Sequence, residues 1–259
     1  MSHFCWRPRP LTTNTLATNR HFLPMITRLS LLAFALAASL PGAAAAAHNT
    51  LTDTERKDGW RLLFDGKSLE GWRTYRAGGV IGKGWVAEDG VLKKLAKTPG
   101  GDIMTTTPVE GDFELSWEWR IAKNGNNGVK YFITEARKAT IGHEYQMLDD
   151  DGHPDGKLGS HRQTASFYDV LAPKADKPLK PVGEWNRSRV VVNGSRVEHW
   201  LNGALVLDYE LGSDALKAAV AKSKFKNVGN FGTKVTGYIL LTDHGDECWF
   251  RDVKLRAAK

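Results

Sequence analysis

The stretch Phe113-Glu-Leu-Ser-Trp-Glu-Trp-Arg-Ile121 alternates without a break. Phe113, Leu115, Trp117, Trp119 and Ile121 share one face, while Glu114, Ser116, Glu118 and Arg120 share the other. Side chains of a strand point alternately to opposite faces, so this period of two predicts a strand with one face in a core. A helix would scatter the three aromatic residues around its axis. Outward from this stretch the same grammar repeats. Trp85-Val-Ala-Glu88 and Val91-Leu-Lys93 flank Asp89-Gly90, a two-residue hairpin signal. Segments 189–192, 196–201 and 204–209 are joined by Asn193-Gly194 and Asn202-Gly203, which predicts a three-stranded meander. Segments 60–64, 129–134, 144–148, 238–242 and 249–255 read as further strands. One helix is expected, capped by Ser213 and running through Ala215 to Lys222. Many short antiparallel strands with one inserted helix predict an all-β fold, a two-sheet antiparallel sandwich of jelly-roll type.

The chain has 259 residues, 41% of them hydrophobic, enough for one sandwich with a real core. Residues 1–46 hold Arg7, Arg9, Arg20 and Arg28 and no acid. Without those four, 32 basic residues remain against 29 acidic ones, a net +3, which gives no electrostatic case for nucleic acid. Met25-Ile-Thr-Arg28, the apolar run Leu29 to Leu40, the Pro41-Gly42 break and the alanines after it have the layout of a signal peptide. The run is too short for a membrane span. The expected organisation is an upstream extension over 1–24, a signal peptide over 25–47 and one sandwich domain over 48–259, with a periplasmic or secreted product. Cys5 is then lost, and Cys248, in a Cys-Trp-Phe run, is expected to be buried and unpaired.

Ordered along the chain are Leu63-Phe-Asp-Gly-Lys67, Leu69-Glu-Gly-Trp72, Trp85-Val-Ala-Glu-Asp-Gly-Val-Leu92, Asp112-Phe-Glu-Leu115 and Asn126-Asn-Gly128. Then follow Glu144-Tyr-Gln-Met-Leu-Asp149, Gly183-Glu-Trp-Asn186, Trp200-Leu-Asn-Gly203, Asp243-His-Gly245 and Phe250-Arg251. Each piece is weak, but the ordered set, over about residues 58–256, resembles the 3-keto-disaccharide hydrolase domain family. The resemblance implies a concanavalin- and laminarinase-like jelly roll, an exported bacterial protein, and cleavage of glycosidic bonds in sugars oxidised to a ketone at carbon 3. It supplies no residue roles, so the candidate site rests on chemistry and position.

In Glu144-Tyr-Gln-Met-Leu-Asp149, Glu144 and Gln146 share a face opposite Tyr145 and Met147. Asp149 has the wrong parity to pair with Glu144. A retaining glycosidase needs two carboxyl groups about 5–5.5 Å apart, and this segment offers no such pair. A ketone at carbon 3 changes the demand. It acidifies the hydrogen on carbon 2, so one base, donors for the enolate and an acid for the leaving oxygen suffice. Glu144 or His153 is a candidate base; Arg162, Gln146 or Lys130 a candidate enolate donor; His244 a candidate acid, equally readable as a structural turn histidine. Asp149, Asp155 and His161, in the charged stretch between Asp149 and Arg162, are candidate substrate contacts, and Tyr168 and Trp185 candidate stacking residues for a pyranose. Charge runs are most often solvated surface, and His143 and His199 read as packing or surface residues. No cofactor is expected, although Asp149-Asp-Asp-Gly152 leaves a cation such as calcium open, without the full loop that ends in Glu. The expected partner is a small carbohydrate. A non-catalytic lectin-like module and a cell-surface structural protein are the alternatives, because fold alone does not fix chemistry.

Overall fold

The computed structural model describes residues 47–76 and 78–258. The upstream extension, the signal-peptide residues before Ala47 and Cys5 lie outside the described residues. Thirteen strands follow in chain order. They are β1 (Arg61–Leu62), β2 (Trp72–Thr74), β3 (Trp85–Glu88), β4 (Val91–Lys94) and β5 (Ile103–Thr105). Then come β6 (Phe113–Ile121), β7 (Asn126–Ile133), β8 (His143–Leu148), β9 (Asn186–Asn193) and β10 (Arg196–Leu201). The last are β11 (Ala204–Glu210), β12 (Tyr238–Leu241) and β13 (Cys248–Ala257). Helix α1 (Asp53–Lys57) starts in a reciprocal Thr52–Glu55 capping box, and α2 (Asp214–Lys222) is capped by Ser213, as expected.

The larger sheet has the order β11-β10-β9-β6-β13-β4-β3, with β1 also paired to β13; the smaller is β2-β5-β12-β7-β8. The strand pairs are antiparallel. The two sheets pack face to face, which bears out the expected sandwich. Both residues of the Asp89-Gly90 and Asn202-Gly203 turns have positive φ, the conformation that matches the twist of a two-residue hairpin.

The apolar face of β6 forms the middle of the core. Phe113, Leu115, Trp117, Trp119 and Ile121 are all at most 3% exposed. Trp117 packs edge-on against Tyr145 with centroids 5.0 Å apart, and its indole N–H points at the Met147 sulfur at 3.2 Å. Trp119 donates to the Ser188 hydroxyl at 2.8 Å, which donates to the Tyr145 hydroxyl at 2.9 Å. Each such side chain contributes roughly 1.5–3 kcal/mol by leaving water, and the polar tips keep partners inside. Cys248 is buried and unpaired, and burial raises its thiol pKa.

Two local departures shape the site. Phe132 takes φ 59°, and the β7–β12 register shifts between Tyr238 and Leu240. This bulge lets Tyr131 and Phe132 both enter the core. Residues 167–171 form a tight turn rather than a strand. Asp169 has φ 62°, and Val170 and Leu171 both donate to the Phe167 carbonyl at 2.9 Å, so only isolated bridges join Phe167 to Tyr145 and Leu171.

Candidate active site

Strand β8 divides its residues between two environments. Tyr145 and Met147 join the core, and His143 stacks on Phe167 with centroids 4.3 Å apart. By alternation Glu144 and Gln146 lie on the outer face. Directly opposed residues of antiparallel strands share a face, so Lys130 stands beside Glu144 and Gly128 beside Gln146. On the other edge of β8, Tyr168 N–H donates to the Glu144 carbonyl at 3.1 Å and Ala165 N–H to the Gln146 carbonyl at 2.8 Å. Phe167 turns inward, so Ser166 and Tyr168 fall on the outer face. The result is a grid with Lys130, Glu144 and Tyr168 in one row and Gly128, Gln146 and Ser166 in the next.

Gly128 makes this floor possible. A Cβ there would sit 2.2 Å from Glu144 Oε1, so the carboxylate occupies the space that a side chain would fill. Asn127 ties the same strand to its neighbour by donating to the Thr242 carbonyl at 2.8 Å. Lys130 Nζ donates to the Thr140 carbonyl at 3.2 Å and lies 3.8 Å from Glu144 Oε2. Glu144 is 5% exposed, so this lysine supplies the countercharge that a buried carboxylate needs. Gln146 Oε1 and Ser166 Oγ, in the adjacent row, are buried without a hydrogen-bond partner. Buried polar groups are nearly always paired, so unpaired ones mark a place for a water or a ligand.

One wall of the site is an ion-pair lattice. Arg162 bridges Asp155 and Asp169, each at 2.7 Å. Tyr168 donates its hydroxyl to Asp155 at 2.7 Å, and His161 lies 3.8 Å from Asp169. Burial acts to raise the Asp155 carboxyl, but the bonds from Arg162 and Tyr168 outweigh it and hold the group below the usual range. Burial and the bond to Asp155 raise the Tyr168 phenol, and Asp155 raises the Arg162 guanidinium. Lys224, Phe225 and Val228 form the other wall. With Lys130, Thr140, Ile141, Gly142 and Glu144 they enclose a cleft of about 340 Å³. Lys224 N–H donates to Asp169 at 2.7 Å, and its ammonium lies 4.1 Å from the centre of the Tyr168 ring.

The structure thus brings together Glu144, Gln146, Lys130, Arg162, Asp155 and Tyr168, with His161 at the edge. His153 is adjacent but occupied: its Nδ1 accepts the Asp155 N–H at 3.1 Å and caps the turn Pro154–Leu158. Asp149 accepts N–H groups of Asn124 and Gly152 at 2.7 and 2.9 Å. Asp150 accepts from Thr164 N–H at 2.7 Å and pairs with Lys177 at 3.0 Å. The carboxylates that suggested a calcium loop therefore hold the loop's own backbone. They also line a second cleft of about 400 Å³ at the sandwich end, with both of these acids committed.

Two candidates do not join the cluster. Trp185 packs on the outer face of the larger sheet, 3.9 Å from the Arg251 guanidinium and 5.2 Å from that of Arg120. Adjacency to a polar loop in sequence did not reveal which sheet that loop covers. His244 is exposed in the turn after β12, where its neighbour Asp243 accepts from Gly100 and Gly101 N–H groups; His244 itself has no such contact. Sequence reasoning passed over Lys224, Ser166 and Asp169. Lys224 reads as the frayed end of α2, and nothing in its spacing signals the cleft. Gly128 carried a usable signal, a glycine inside a strand, which often marks a close approach.

An acid–base cluster sunk into the outer face of one sheet of a sandwich is a frame suited to processing small polar molecules such as sugars. A family model described as 3-keto-alpha-glucoside-1,2-lyase-like domain matches residues 59–256, and the chain belongs to that family. It is an enzyme of carbohydrate chemistry. The chain is 35% identical over 232 residues to a 3-keto-disaccharide hydrolase of Bacteroides thetaiotaomicron, covering 77% of this chain and 78% of that one. A crystal structure from Parabacteroides distasonis, of a protein assigned as a glycosyl hydrolase, superposes with a TM-score of 0.73 at 33% identity. It covers 82% of this chain and 100% of that one. A second protein from the same organism with the same assignment gives 0.61 at 27% identity, over 77% and 99%.

Proposed function

We propose that this protein cleaves the glycosidic bond of 3-keto-glycosides by removing the proton on carbon 2 and expelling the aglycone, after which water adds to the enone. The observation that carries this reading is the Glu144 carboxylate, buried over Gly128 with Lys130 at 3.8 Å and the Gln146 amide, its Oε1 unpartnered, in the next row. A direct displacement at carbon 1 wants a second free carboxylate. Asp155 and Asp169 are both bound to Arg162, so neither is free to serve.

Glu144 takes the carbon-2 proton. The C–H pair becomes the enolate, whose oxygen draws on Lys130 and the Gln146 amide. The enolate then reforms the ketone as the carbon-1 to oxygen bond breaks. Tyr168, held by Asp155, offers a ring and hydroxyl at the rim. The same two steps reconcile the family's description as a lyase with the relative's description as a hydrolase: elimination alone is lyase chemistry, and elimination with hydration is net hydrolysis.

The test is a 3-keto-glucoside deuterated at carbon 2, set beside its unoxidised glucoside. The reading expects cleavage of the keto sugar alone, with a primary isotope effect or washout of deuterium. Equal cleavage of both with deuterium retained would restore displacement, and binding without cleavage would leave a lectin. Export, for which residues 25–47 have the layout, belongs to the same reading. N-terminal sequencing of material from the periplasm or medium should find a start near Ala47, and an intact Met1 on a cytoplasmic product would refute it.

A further inference from the structure

Elimination needs a proton for the departing oxygen; Glu144 holds the carbon-2 proton and its two donors face the enolate, so a separate acid on the leaving-group side completes the step. Lys224 is the group in the cleft wall still uncommitted. Its backbone is tightly set. Ser223 before it is buried and donates its hydroxyl to the Val220 carbonyl at 2.8 Å. Phe225 after it is buried and stacks on Phe231 with centroids 4.3 Å apart. Its own N–H is bound to Asp169. A residue between two buried anchors starts its side chain from a fixed Cα–Cβ direction, unlike a lysine on a free loop.

The two lysines of the cleft differ at the ammonium. Lys130 Nζ is bound to Thr140 and lies beside Glu144. Lys224 Nζ lies instead over two rings, 4.1 Å from the Tyr168 centroid and 5.1 Å from that of Phe225. Among the described residues its ammonium makes no hydrogen bond and has no carboxylate within ion-pair distance, yet Glu144 lines the same cleft. A surface lysine resting on an aromatic ring is the plain alternative. Against it stand the anchored backbone and the position across the cleft from the base.

We infer that Lys224 is the acid that protonates the leaving oxygen, an assignment that rests on Glu144 being the base. As the carbon-1 to oxygen bond breaks, the pair left on oxygen takes a proton from Nζ, leaving a neutral amine. When water adds at carbon 1, that amine takes the water's proton, and Glu144, its proton by then exchanged with solvent, delivers one to carbon 2. Both groups are then restored, and the sum is hydrolysis. Lys224 is exposed at the cleft mouth, and partial desolvation by the cleft wall lowers its pKa against the pull of Glu144 and Asp169, which makes the proton easier to give.

The experiment uses the whole protein with methyl and 4-nitrophenyl 3-keto-glucosides in deuterated water. It follows both cleavage and exchange at carbon 2. Lys224→Met should lower cleavage of the methyl glycoside by about 10²–10⁴-fold, the usual share of a general acid. Cleavage of the nitrophenyl glycoside, whose leaving group needs no proton, should fall far less, and carbon-2 exchange should persist. Lys224→Arg keeps the charge but not a transferable proton, so it should resemble the Met variant. Equal losses on both glycosides, loss of exchange, or full activity of Lys224→Arg would overturn the assignment. Exchange that survives in Glu144→Gln would instead sink the reading of Glu144, and the two failures are distinct.

Discussion

The two faces of β8 carry similar residue types in opposite states of completion. On the inner face His143 Nδ1 meets the Tyr209 hydroxyl at 2.9 Å, and that hydroxyl meets Tyr131's at 2.7 Å. The Tyr131 hydroxyl meets His199 Nε2 at 2.8 Å, and His199 Nδ1 bonds to the Ala165 carbonyl at 3.0 Å. Gly232 N–H closes the network on His143 Nε2 at 3.2 Å. Titratable groups are plentiful there, but each polar atom is spoken for. On the outer face Gln146 Oε1 and Ser166 Oγ are buried without hydrogen-bond partners in the rows beside Glu144. Titratable residues alone do not mark a site; the unfinished hydrogen bonding does. A filled network sets one conformation, and an unfilled one leaves room for a substrate to complete it.

The sharpest way to break this contrast is to alter one residue on each face. Glu144→Gln removes the base while keeping shape, so turnover should fall by about 10²–10⁴-fold with the melting temperature nearly unchanged. Steady-state kinetics beside thermal unfolding would show it, and a variant that loses stability but keeps turnover would reverse the roles of the two faces. Tyr209→Phe should do the opposite. It strands His143 Nδ1 in the core at about 1–3 kcal/mol, the Tyr131 hydroxyl keeping its bond to His199, while the folded fraction keeps its turnover. Denaturant unfolding would measure the loss.

Acid should act through the inner face. Burial holds His143 well below the ordinary histidine value of 6.5 and His199 down to about 4. Both are neutral in the fold, whereas the unfolded chain binds protons from about pH 6.5 downward. Their contribution is therefore complete above pH 6.5 and lost as pH falls toward 4, by up to about 1.4 kcal/mol per pH unit for each histidine. Melting temperatures across that window check this, and a His199→Gln variant that folds should show a shallower slope. The smallest effect is expected on the far sheet. Trp185→Ala should change turnover by less than about twofold, in line with the ~0.5 kcal/mol typical of surface positions. A large loss of affinity would bring that face into substrate binding.

Much of this contrast could be read before any coordinates. Alternation in Phe113 to Ile121 and in Glu144 to Met147 marked which residues enter the core, because a strand has one period and two faces. The Asn-Gly and Asp-Gly turns gave the hairpins for the same local reason. Residues brought in by loops were illegible. Tyr168 and Arg162 reach Glu144 because Phe167 is buried and Asp169 reverses the chain, and neither event leaves a periodic mark. Lys224 arrives from the far end of α2 through two buried anchors that only the packed core defines. Trp185 and His244 lie apart from the cluster for the mirror reason: nearness in sequence to polar motifs carried no information about which sheet or turn they cover.

The most direct test of the outer face as a proton-abstracting site is exchange at carbon 2 in deuterated water. A 3-keto-glucoside should be incubated with wild-type protein and with Glu144→Gln, and the recovered substrate and product read by mass spectrometry. The account predicts deuterium at carbon 2 in the wild-type reaction, with incorporation lost together with cleavage in the variant. Cleavage by the wild-type protein with carbon 2 untouched would contradict it.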